Sequence, residues 1–116
     1  MSTANKFVLA GVMGWPVSHS RSPTLHNHWI QHYGLTGSYV LLPVEPKNLP
    51  DAMRGLRVLG FAGCNITIPH KVAAMALVDR VDPMARRIGA INTVVVKPDG
   101  SLTGSNTDGF GYIQSL

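Results

Sequence analysis

The segment Cys64–Lys71, CNITIPHK, sets an amide, a hydroxyl and an ammonium within eight residues of one another. Asn65 and Thr67 are two apart, so an extended strand sends both to one face and Ile66 and Ile68 to the other. Pro69 then ends the strand, because proline cannot donate to a ladder, and Lys71 is delivered just past the strand end. Ligands of open parallel sheets sit beyond the carboxyl ends of their strands. Taken singly, Lys71 reads as a surface lysine, and Asn65 with Thr67 as a polar pair satisfied inside the sheet. Together they read as a site for a small polar ligand.

More residues of this kind follow the same logic. Ser20 and Ser22 in HSRSP are two apart, so in an extended segment both hydroxyls face one way. Ser22 followed by Pro23 is also a helix start, a hydroxyl cap and then proline at the first helical position. The first turn of a helix bears unsatisfied N–H groups and partial positive charge, a setting suited to a carboxylate or phosphate. Asn92 opens the strand of AINTVVV, and Asp108 follows the strand that ends in GSNTDG. The collected groups are a carboxylate, an ammonium, two amides and three hydroxyls. They suit a small polyhydroxylated carboxylic acid, and a lysine beside an aspartate can move a proton.

Metal and dinucleotide chemistry have weaker support. His28 and His32 are four apart on one predicted helix face, but His26 falls on another face and spacing supplies no third ligand, so no metal is expected. GVMGWP and GFGY match neither a dinucleotide fingerprint nor a Walker loop.

The elements that must position these residues alternate. Strands are expected at Lys6–Val12, Ser38–Val44 and Phe61–Ile68. A first helix carries Leu25, Trp29 and Tyr33 on one face and stops at Gly34. A second starts at Asn48 or Pro50 and runs through Met53 and Leu56 towards Gly60. A third is expected in KVAAMALV after Pro69, and a fourth, PMARRI, begins after Asp82 and ends at glycine. Two last strands meet at the turn Pro98-Asp99-Gly100, and a further helix is expected to open near Asp108. The fold class is therefore α/β, a mostly parallel sheet flanked by short helices with a C-terminal β-hairpin. The chain reads as cut at Leu116, where that last helix has no cap.

Composition sets the limits. The chain has 116 residues, 45 % hydrophobic, which fits one domain with a core of its own. Charged residues are only 14 %, against about 25 % in soluble domains, as expected where a partner domain covers part of the surface. The net charge of +4 is scattered and shows no nucleic-acid motif; a mild preference for anionic ligands is expected. A single cysteine, Cys64, and no signal peptide or membrane-spanning run give a cytoplasmic protein with no membrane partner as the expectation.

Three ordered blocks, GWPVSHSRSPTLHN (14–27), GCNITIPHK (63–71) and GAINTVVVKPDGSLTGSNTDGFG (89–111), resemble the N-terminal substrate-binding half of the shikimate dehydrogenases. The resemblance covers essentially the whole chain. It implies the substrate domain of a two-domain dehydrogenase over residues 1–106, with 107–116 starting the helix that links to an NADP-binding domain. It implies reversible reduction of 3-dehydroshikimate to shikimate with NADPH, the cofactor being bound outside this chain. By position, Ser20 and Ser22 would hold the substrate carboxylate, with Thr67 lining the same pocket. Lys71 and Asp108 would be the catalytic pair, and Asn92 with Asp108 would bond the ring hydroxyls. A lysine starts near pKa ~10.4 and a neighbouring carboxylate raises it, so Lys71 would serve as acid and oxyanion support more readily than as base. Val72-Ala73 depart from the polar residues frequent there in the family. Other readings stay open: a stand-alone shikimate- or quinate-binding or regulatory module without catalysis, and a quinate/shikimate enzyme preferring NAD. Alone, the chain is expected to be inactive and to self-associate through the face around Phe110 and Tyr112.

Overall fold

A computed structural model describes residues 7–17 and 36–107. Among these, β1 (Phe7–Gly14), β2 (Thr36–Pro43), β3 (Gly63–Ile66), β4 (Arg80–Val81), β5 (Thr93–Val96) and β6 (Leu102–Ser105) form one sheet in the order β2-β1-β3-β5-β6-β4. β1 runs parallel to both β2 and β3, and β4 runs parallel to β6. β5 is antiparallel to β3 and to β6, which gives the expected C-terminal hairpin. The mixed α/β, mostly parallel architecture is the one the sequence implied.

Local signals explain where several elements lie. Helix α1 (Leu49–Val58) buries Leu49, Met53 and Leu56, spaced as one face of a helix demands, against the sheet. Helix α2 (Pro83–Ile88) starts where Asp82 accepts from the N–H of Met84 at 3.1 Å and stops at Gly89, whose φ is 85°. The β5–β6 turn closes with Gly100 N–H donating to Lys97 O at 2.8 Å. Gly100 has φ 88°, a conformation that a side chain would strain.

The core has two sides. Cys64 and Ile66 of β3, Val94 of β5 and Met13 of β1 face α1 in the larger cluster. Val12 and Tyr39, with Val17 and the partly buried Ala10, form a smaller cluster on the opposite sheet face. Because strand side chains alternate, Asn65 and Thr93 lie on that second face with Tyr39.

Three expectations are corrected. KVAAMALV forms no α-helix but a single 3-10 turn, Ala73–Leu77. Its alanines favour a helix, but the carbonyl of Lys71 that would start the ladder accepts instead from Ile91 N–H at 2.9 Å. The third strand is shorter than Phe61–Ile68: Phe61 N–H closes the end of α1 on Leu56 O, and Ile68 lies beyond the strand with 72 % exposure. Lys71 thus sits five residues past Ile66 rather than at the strand tip. β4 was not expected; two residues carry too little pattern to signal a strand. The predicted helix from Ser22 to Gly34, with His26, His28 and His32, lies outside the described residues, as does the segment with Phe110 and Tyr112.

Candidate functional site at the carboxyl ends of β1 and β3

Backbone hydrogen bonds lace three segments together where β1 and β3 end and β5 begins. Thr67 N–H donates to Met13 O at 2.9 Å, and Trp15 N–H to Ile68 O at 3.0 Å, so the chain leaving β3 stays on the exit of β1. Ile66 N–H donates to Asn92 O at 2.7 Å, and Ile91 N–H to Lys71 O at 2.9 Å. Asn92 N–H in turn reaches Ser105 O at 2.9 Å. The segments bearing Thr67, Lys71 and Asn92 are therefore neighbours through their main chains, though 25 residues of sequence separate Thr67 from Asn92. Ser20, Ser22 and Asp108, the other predicted site residues, lie outside the described residues.

A buried imidazole fixes the loop that carries Lys71. His70 is 1 % exposed, its ring Nε2 stands 2.6 Å from Val44 O, and its N–H donates to Thr67 O at 2.9 Å. A ring nitrogen facing a carbonyl must carry the proton, so Nε2–H is the donor here. Lys71 itself is half-buried and has no ion-pair partner among the described residues.

Thr67 and Gly14 are in close contact. A Cβ at Gly14 would stand 2.3 Å from Thr67 Cγ2 and 3.1 Å from Ile68 O, so the absence of a side chain in GWP gives Thr67 its place.

The amide of Asn92 is held on several sides. Its Oδ1 accepts from Thr107 N–H at 3.0 Å and from the Thr93 hydroxyl at 2.8 Å, and its Nδ2 donates to Thr107 Oγ1 at 3.0 Å. Thr107 immediately precedes Asp108. Asn65, drawn from the sequence with the site, accepts from the Tyr39 hydroxyl and donates to Thr93 Oγ1 at 3.4 Å. Sequence reasoning missed Tyr39, Thr93 and Thr107. The available signal was a period of two that puts polar residues on one face of facing strands, Asn65 opposite Thr93.

Burial acts on two groups of the sheet. It pushes the Tyr39 phenol up to about 12, with the neighbouring Cys64 adding to the rise, and pushes the Cys64 thiol up to about 12. Both stay protonated near neutrality. Among the described residues no three His, Cys, Asp or Glu side chains gather as a metal site, and no helix is long and apolar enough to cross a membrane.

A family model for the shikimate dehydrogenase substrate binding domain matches residues 12–94. The chain is 55 % identical over 113 residues to the shikimate dehydrogenase (NADP(+)) of Paramagnetospirillum magneticum, covering 97 % of this chain and 41 % of that protein's length. It superposes with a TM-score of 0.85 and 41 % identity on the Thermus thermophilus shikimate 5-dehydrogenase solved with NADP(H) and shikimate, covering 94 % of this chain and 41 % of that one. It also superposes, with a TM-score of 0.87 and 33 % identity, on the 5-ketofructose reductase of Gluconobacter sp. strain CHM43, covering 96 % of this chain and 40 % of that one. The chain thus spans about two-fifths of the length of the proteins it matches. With the family model running from the end of β1 through the Lys71 loop to β5, the chain belongs to the shikimate dehydrogenase substrate-binding domain family.

Proposed function

We propose that this chain is the substrate-binding part of an NADP-dependent shikimate dehydrogenase of the cytoplasm, interconverting 3-dehydroshikimate and shikimate. Residues 1–106 form the substrate domain, and 107–116 begin the connection to a dinucleotide-binding domain. The observation that carries this reading is the lacing of the Thr67, Lys71 and Asn92 segments by main-chain hydrogen bonds at one end of the sheet, one residue short of Asp108. Ser20 and Ser22 hold the substrate carboxylate, Thr67 lines the pocket, and Asn92 and Asp108 bond ring hydroxyls.

The described residues offer no cradle for a dinucleotide. Neither described helix opens from a glycine-rich strand turn: Pro50 stands in the first turn of α1, and Pro83 opens α2. What this chain supplies is position and charge. The Lys71 ammonium faces the substrate oxygen that gains negative charge on reduction and gives it a proton, and Asp108 orients that amine. In the oxidative direction the same amine takes the proton back.

The likeness to a 5-ketofructose reductase makes the ligand the point to test. Titration of the isotopically labelled chain with shikimate should move the amide signals of Thr67 and Asn92 at millimolar ligand, with 5-ketofructose giving smaller shifts. A flat shikimate titration, or a stronger response to 5-ketofructose, overturns the assignment.

A further inference from the structure

Tyr39 lies on β2, yet its hydroxyl reaches the side chain of Asn65 on β3 by crossing β1. The register explains the reach. Tyr39 stands opposite Ala10 and Asn65 opposite Val12, so a small residue lies in the phenol's path. Asn65 stands opposite Thr93 on the next strand, and the chain of contacts continues from Tyr39 through Asn65 and Thr93 to Asn92. Three side chains on one face, Tyr39, Asn65 and Thr93, thus form a polar row over four adjacent strands that continues to Asn92, the candidate-site residue just before β5.

The row has a direction. The Tyr39 hydroxyl donates to Asn65 Oδ1, and the Nδ2 of that amide is turned to Thr93. The Thr93 hydroxyl, receiving there, gives its own proton to Asn92 Oδ1. At the far end Thr107 N–H, which can only donate, meets that same oxygen. Both ends agree, and Asn92 is left to offer N–H rather than carbonyl to a ligand.

From this geometry we infer that Tyr39, Asn65 and Thr93 are positioning residues, which fix the amide orientation of Asn92 so that it donates to a ligand hydroxyl oxygen. The inference rests on the proposed shikimate site for its ligand, but the orientation itself is a property of the ligand-free chain.

The test uses this chain with Tyr39→Phe, Thr93→Val and Thr93→Ser. In the absence of ligand, the paired side-chain N–H signals of Asn92 should shift in Thr93→Val and Tyr39→Phe and return to their wild-type positions in Thr93→Ser. Shikimate binding should weaken about fivefold to tenfold in Thr93→Val, the effect of one lost or misdirected hydrogen bond, and recover in Thr93→Ser. Unmoved Asn92 signals in both Tyr39→Phe and Thr93→Val, in variants whose melting temperature falls, would show the row to be buried structural polarity alone and overturn the inference. If the wild-type chain ignores shikimate, the functional reading fails and the ligand-free signals still decide the positioning role.

Discussion

At the scale of single residues, Gly14 and Thr67 show how little room the site leaves. Threonine is branched at Cβ and has few χ1 settings, so a methyl at Gly14 cannot be met by a small adjustment of Thr67. Gly14→Ala should turn Thr67 about χ1, displace its hydroxyl and destabilise the fold by about 1–3 kcal/mol, the usual cost of overpacking. Chemical denaturation measures the stability loss, and a shikimate titration of the same variant should be weaker than wild type. Unchanged values in both would show that the loop yields without moving Thr67.

At the scale of elements, the segment between β3 and the 3-10 turn owes its course to hydrogen bonds with distant partners. His70 ties it to the end of β2 through Val44 O, and Ile91 ties it to the start of β5 through Lys71 O. His70→Phe preserves an aromatic ring in the buried site but removes the donor, leaving a carbonyl to lose its partner. The variant should lose about 1–3 kcal/mol of stability, read by denaturant titration, and the Ile91 amide that donates to Lys71 O should exchange its proton faster. A stability equal to wild type would mean that the ring acts only by filling space. The second helix, the Asp82 cap and the hairpin turn were legible in the sequence because each depends on residues within one or two turns of chain. The third predicted helix was not: its backbone acceptor was claimed by Ile91, twenty residues downstream of Lys71.

For the whole molecule, the buried phenol and thiol make stability depend on pH on the alkaline side. Cys64 rises from 9.0 and Tyr39 from 10.0, each to about 12, so the folded chain holds both protons more tightly than the unfolded chain. Their contribution is fully present below pH 9 and is lost as pH rises from there towards about 12, because the unfolded state ionises first. The melting temperature should therefore be flat near neutrality with respect to these groups and fall steadily above pH 9. Cys64→Ala should make that fall shallower. An equally steep fall in the variant would assign the alkaline instability elsewhere.

Sequence alone determined the chemistry on offer, an ammonium, amides and hydroxyls near strand ends, together with the α/β class, the caps and the turn at Pro98-Asp99-Gly100. It did so because those features rest on residue type and short-range spacing. Tertiary structure decided which polar groups meet one another. Asn65 is paired because Tyr39, 26 residues away, crosses β1 to meet it. The Asn92 amide is fixed because Thr107, 15 residues on, donates its N–H to the amide oxygen. Strand order and register set both pairings, and neither is written in any local stretch of the chain.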